Sequence, residues 1–178
     1  MSSTRDITET KLDEIDIKLI SHLQDNGRIS LVKLGKKIGL KHSSVRERLL
    51  KIITHGFIKI QANVNLKNFG FRIAFIGFEV IGYENAMKLI EKLRKCPRTL
   101  LVGYTSGEFN VIAIMVIENI DLLRDFIERN LRSIINIRRI SINFGEIIYP
   151  KFLPLAPIKK LSSLSKTDCY SCALFKGR

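Results

Sequence analysis

Apolar positions recur along this chain with two different periods, and the change of period divides it. Between residues 13 and 54 the spacing is helical. Ile15, Leu19 and Leu23 fall four apart behind Asp13, whose carboxylate suits a helix N-cap, and Gly27 after Asn26 supplies a stop. A second helix is predicted from Ser30, with Leu31, Leu34 and Ile38 on one side and Gly39 at its end. Gly35 lies inside it; a mid-helix glycine costs about 1 kcal/mol against alanine and so points to a close helix crossing. The third helix lies in KIGLKHSSVRERLLKII and begins at its two serines; Val45, Leu49, Ile52 and Ile53 form the buried stripe while Ser43, Arg46, Glu47 and Lys51 point elsewhere. After Gly56 the period falls to two. Ile58, Ile60, Ala62 and Val64 alternate with Lys59, Gln61, Asn63 and Asn65, as in a half-buried strand. Three helices and a strand describe a winged helix-turn-helix.

From Gly70 onward the predicted order is strand, helix, strand, strand, helix, strand. FRIAFIGFEV is the first strand, and ENAMKLIEKLRK is a helix with Met87, Ile90 and Leu93 inward. TLLVGYT and NVIAIMVIE are strands joined by the tight turn SGE, where Gly107 supplies backbone freedom. DLLRDFIERNL is a helix burying Leu122, Phe126 and Ile127, and RRISINFGEII closes the sheet. This is a ferredoxin-like βαββαβ unit with helices on one face. Apolar side chains from several strands fall on the other face, and a symmetric dimer is the economical cover for them. The fold class is therefore α+β. Residues 1–60 form a winged helix-turn-helix, 61–149 a ferredoxin-like dimerisation and effector domain, and 150–178 a basic extended tail.

Charge sharpens this picture. The 178 residues carry a net +13, more than solubility needs, which suggests a polyanionic partner. Residues 28–60 hold nine Lys or Arg and one acid, Glu47, whereas residues 61–149 are nearly balanced at 12 against 9. The excess is a local patch plus a basic tail. No apolar run approaches the ~20 residues of a membrane span, and the N-terminus lacks the apolar core of a secretory signal, so a cytoplasmic protein is expected.

The basic helix suits double-stranded DNA. Arg46 can bridge guanine O6 and N7, Ser43 or Ser44 can contact either base edge, and Glu47 can accept from cytosine N4. Around them Arg28, Lys36, Lys41, His42 and Lys51 extend the surface, the Lys and Arg side chains neutralising phosphates and setting register. Ser44 and Glu47 also fit an S-x-x-E capping box, which gives Ser44 a structural alternative, so Arg46 is preferred for base contact.

KLDEIDIKLISHLQDNGRISLVKLGKKIGLKHSSVRERLLKIITHGFIK resembles the N-terminal domain of the Lrp/AsnC ("feast/famine") transcription regulators, whose pattern runs LDxxDxxILxxLQxNGR, then LAxxxGLSxSTVxxRIxxLxxxGxI. TSGEFNVIAIMV is similar to that family's TGxYDxxLxV turn. The likeness spans roughly residues 12–148. It implies a sequence-specific regulator that is a homodimer, often built up to tetramers or octamers, with an amino-acid-like effector held near Tyr104, Gly107, Glu108 and Asn110. Two departures stand out. Lys41 and His42 replace the usual Ser-Pro, which gives a poorer helix cap and a later helix start. Phe109 and Asn110 replace Tyr-Asp, so Asn110 offers a ligand ammonium only a neutral carbonyl, and Glu108 is the available substitute.

Two rival functions carry their own residues. Cys169 and Cys172, spaced C-x-x-C, are half of a tetrahedral thiolate site, which would make a metal- or redox-responsive regulator, though incidental cysteines are the simpler reading. A nonspecific architectural DNA- or RNA-binding protein would need only the basic surface. GFRIAFIGF superficially matches an RNA-recognition strand, but that motif belongs on a third strand and this is a first, so Phe71, Phe75 and Phe78 are read as core or interface. His22, His42 and His55 have no acid or cysteine at a useful spacing, and GYTSG lacks a following Lys-Ser/Thr. No enzyme and no cofactor are expected.

Overall fold

A computed structural model describes residues 12–117 and 136–154, together with Ile120, Asp121, Leu123, Arg124 and Ile127. The chain divides into two compact units, residues 1–61 and 62–178. The tail cysteines Cys169 and Cys172, and Leu122 and Phe126, lie outside the described residues.

The first unit is built from α1 (Glu14–Asp25), α2 (Leu31–Ile38) and α3 (His42–Thr54). Asp13 caps α1 through a full capping box with Asp16, its side chain accepting from the Asp16 N–H at 2.8 Å. Ser30 caps α2, and Gly39, at φ +75°, ends it. Leu19, Leu34, Val45 and Ile52 close the core, one from each of the first two helices and two from the third. Gly35 makes a close approach, though to the turn after its own helix. A Cβ there would sit 2.5 Å from the Leu40 carbonyl oxygen, and the Leu40 N–H donates to the Gly35 carbonyl at 2.9 Å.

Four expectations change here. The third helix starts at His42, with Lys41 as an N-cap that makes no side-chain bond, so the weak cap does not delay it. Ser44 therefore lies inside the first turn, and the Ser44–Glu47 capping box does not form. Ile53, expected in the buried stripe, is 39% exposed. The alternating residues 58–63 form no strand; only Val64 makes a bridge, to Leu153. Alternation describes a half-buried extended segment, but a strand also needs a partner to complete its hydrogen bonds.

The second unit contains β1 (Arg72–Val80), α4 (Tyr83–Lys95), β2 (Thr99–Tyr104), β3 (Val111–Ile117) and β4 (Ile137–Gly145). The strands form one antiparallel sheet in the order β2-β3-β1-β4, as a split βαβ arrangement requires. Ala74, Ile76, Phe78 and Val80 of β1, with Val111, Ala113, Met115 and Ile117 of β3, point into a core against Ala86, Leu89 and Leu93 of α4 and the helical Leu123 and Ile127. Met87 and Ile90, expected inward, pack partly buried against this core. On the opposite sheet face, Ile73 and Val116 are buried with Leu66, packed against Ile147 and Leu153. Further along that face Leu101 and Ile112 stay 52% and 39% exposed.

Candidate nucleic-acid interface

On α3, a rotation of about 100° per residue places Val45, Leu49 and Ile52 on the core side and Ser43, Arg46, Glu47 and Lys51 on the side away from it. Ser43, Arg46, Glu47 and Lys51 are all exposed, whereas Ser44 is half-buried. Lys41 and His42 lie exposed at the helix start, Lys36 on α2, and Arg28 in the turn before it, where its backbone N–H donates to Asn26 Oδ1 at 2.9 Å. Among the described residues, no ion pair engages Arg28, Lys36, Lys41, Arg46 or Lys51. Their charge faces solvent uncompensated, as a phosphate-binding surface requires.

Arg48 is the cation that behaves otherwise, and the sequence reading passed over it. Its guanidinium bonds Asp13 at 2.6 Å and Asp16 at 2.8 Å, linking α3 to the start of α1. Asp16 and Asp13, in that order, raise the Arg48 pKa. The Asp13 carboxyl is lowered from 3.8 by the Asp16 backbone N–H first and by Arg48 second. The available signal was two acids three residues apart at the start of α1, on a unit otherwise rich in cations. This fork ties α3 to the first turn of α1.

The residues expected around an effector surround the loop between β2 and β3. Thr105 organises that loop: its hydroxyl donates to the Phe109 carbonyl at 2.7 Å, and its N–H donates to the Asn110 carbonyl at 2.9 Å. Gly107 has no positive φ, so the turn does not use the freedom expected of it. Asn110 accepts from the Val80 N–H at 2.9 Å and donates to the Val80 carbonyl at 2.8 Å, beside the register shift at Glu79/Val80. Its amide is engaged with the sheet. Glu108 pairs with Arg139, which also pairs with Glu79 and lies over the Phe109 ring at 4.8 Å. The Arg139 pKa is raised, chiefly by Glu108. Phe109 in turn covers Gly77, where a Cβ would meet its ring at 2.8 Å. Tyr104 is half exposed and meets Tyr83 edge-on at 5.6 Å.

Phe78 is fully buried in the core, and Phe71 and Phe75 pack partly buried against Leu66, Ile73 and Val116. Cys96 is buried, and no cluster among the described residues has the side chains to hold a metal ion. No helix among them is long and apolar enough to cross a membrane.

A tight glycine turn between two short helices, and an outward helix face carrying unpaired cations, define a DNA-binding helix-turn-helix protein of the transcription-regulator class. Known proteins agree. The AsnC-type helix-turn-helix domain matches residues 12–52, and the Lrp/AsnC ligand binding domain matches residues 73–144. The chain is 33% identical over 146 residues to the uncharacterized HTH-type transcriptional regulator PH0045 of Pyrococcus horikoshii, covering 76% of this chain and 94% of that one. It is 27% identical over 127 residues to the HTH-type transcriptional regulator Ptr1 of Methanocaldococcus jannaschii, covering 71% and 86%. The fold is that of PH0061 (TM-score 0.70, 19% identity, covering 82% of this chain and 99% of that one). It is also that of the regulator NMB0573 of Neisseria meningitidis, solved as an L-Met complex (TM-score 0.66, 22% identity, covering 85% and 99%). The chain belongs to the Lrp/AsnC family of transcriptional regulators.

Proposed function

We propose that this cytoplasmic regulator binds specific, roughly palindromic operators as a homodimer or a larger even assembly. The observation that carries this reading is the outer face of α3, where Ser43, Arg46, Glu47 and Lys51 are exposed and Arg46 and Lys51 have no acidic partner. Arg46 reads guanine, while Lys36, Lys51, Lys41 and Arg28 neutralise phosphates. The partly exposed apolar sheet face at Leu101 and Ile112 supports self-association, and a two-fold pair places two α3 helices one or two turns of DNA apart.

The loop at residues 104–110 is the proposed effector site, for a small molecule of amino-acid type. A ligand ammonium there competes with Arg139 for Glu108, and Tyr104 offers an exposed ring beside it. The L-Met complex of NMB0573 supports a ligand of this kind.

Selection of genomic fragments by the purified protein, followed by footprinting, tests the DNA reading. A bounded footprint with periodic protection is expected; uniform coating overturns it in favour of an architectural protein. Arg46→Ala is expected to lower the ratio of specific to nonspecific affinity. Lys36→Ala or Lys51→Ala is expected to weaken both alike and to reduce the salt slope by about one.

A further inference from the structure

Two large apolar residues of α3 are exposed: Ile53, at the edge of the buried stripe and 39% exposed, and Leu50, which is far more open. Leu50 is 64% exposed, more than any other leucine among the described residues. It does not belong to the apolar stripe. At about 100° per residue, Leu50 lies within about 40° of Ser43 and of Arg46 and about 60° from Glu47, so it continues the cationic face rather than the buried one. Exposed single leucines are ordinary on protein surfaces. This one lies at the centre of the face otherwise given to Ser43, Arg46, Glu47 and Lys51.

We propose that Leu50 reads a thymine methyl group in the major groove, one helical turn beyond Arg46. This inference rests on the DNA-binding reading and adds a second base class to it. The geometry is commensurate. Four residues of helix advance about 6 Å, close to two base-pair steps of about 3.4 Å. Arg46 and Leu50 therefore face base pairs about two apart. The groove offers an apolar group at thymine alone, through its C5-methyl, and an aliphatic side chain at that distance contacts it with no hydrogen bond to satisfy. Lys51, next in sequence and exposed, is placed to hold a neighbouring phosphate and keep Leu50 in the groove.

The contact carries a signature unlike that of its neighbours. Burial of an apolar group releases no counterions, so loss of Leu50 weakens binding without changing the slope of affinity against salt. The test uses the full-length protein and the site it selects from genomic DNA. In that site each thymine is replaced in turn by deoxyuridine, which removes the methyl and leaves every hydrogen-bonding group in place. Wild-type protein is expected to lose about fourfold in affinity at one or two thymines per half-site, the worth of about one buried methyl-sized group, and Leu50→Ala to lose nothing there. Three outcomes overturn the inference: no thymine responds, wild type and Leu50→Ala respond equally, or Leu50→Ala changes the sedimentation coefficient of the free protein and so reveals a protein contact. If no bounded site is selected at all, the DNA reading itself fails, which is a distinguishable result.

Discussion

Substituting Gly35 by alanine tests the packing that brings α2 and α3 together. A Cβ at Gly35 lies 2.5 Å from the Leu40 carbonyl oxygen, against ordinary van der Waals contact at 3.4 Å or more, so 0.9 Å must be found by moving backbone. Little slack is available. The Leu40 N–H is bonded to Gly35 itself, and Leu34 and Val45 on either side are fully buried. Alanine is the better helix former by about 1 kcal/mol, but overpacking of this kind costs about 1–3 kcal/mol, and a clash with backbone belongs at the upper end. The expected balance is a loss of about 2 kcal/mol. Gly27→Ala supplies the contrast, because its nearest atom is Leu23 O at 3.7 Å and its φ is not positive. There alanine should stabilise by about 0.4–1 kcal/mol, through the unfolded chain. Urea unfolding measured two ways separates the units. All four tyrosines (Tyr83, Tyr104, Tyr149 and Tyr170) lie beyond the first unit and there is no tryptophan, so tyrosine fluorescence follows the second unit and far-UV dichroism adds the helices of the first. Gly35→Ala should move the helical transition down by on the order of 1–2 M urea while the tyrosine transition stays in place. A variant as stable as wild type would show that the Leu40 carbonyl yields freely and that close approach is not why this position is glycine.

The remaining predictions concern charges and amides. Arg48→Met should lower the midpoint of the helical transition and weaken operator binding, although Arg48 touches no DNA in this reading; unchanged operator affinity would show that the fork to Asp13 and Asp16 does not set the angle of α3. Because Asp13 has a folded pKa below 3.8, its contribution is fully present above that value and is lost as pH falls through the lower one. The helical transition of wild type should therefore weaken between about pH 5 and pH 2 more than that of Asp13→Asn, and equal slopes would refute this. Asn110→Asp keeps an acceptor for the Val80 N–H but sets an anion against the Val80 carbonyl, so the tyrosine transition should fall by about 1–2 kcal/mol; an unchanged transition would return Asn110 to ligand binding alone.

Much of the fold was legible because its signals were periodic and local. Ile15, Leu19 and Leu23, and again Val45, Leu49 and Ile52, repeat at helical spacing, and Asp13, Ser30 and Gly39 mark ends by chemistry that needs no tertiary partner. What was not legible depends on a partner distant in sequence. Residues 58–63 alternate as a strand does, yet whether they pair is decided elsewhere in the chain. Arg48 looked like one more cation on a basic helix until α1 brought its two acids within reach. Asn110 matched a ligand position by motif, while its hydrogen bonds to Val80 depend on a register shift thirty residues away. Periodicity also misjudged Ile53, because a stripe of four apolar residues is wider than the contact α3 makes.

The paired bonds between Val64 and Leu153, at 2.9 and 3.0 Å, fasten the strand of chain that enters the second unit to the strand that leaves it. The sheet thus has a common doorway for entrance and exit. Val64 and Leu153 also pack against Leu66, Ile73 and Val116, so apolar burial as well as the two bonds holds both segments to that face of the sheet.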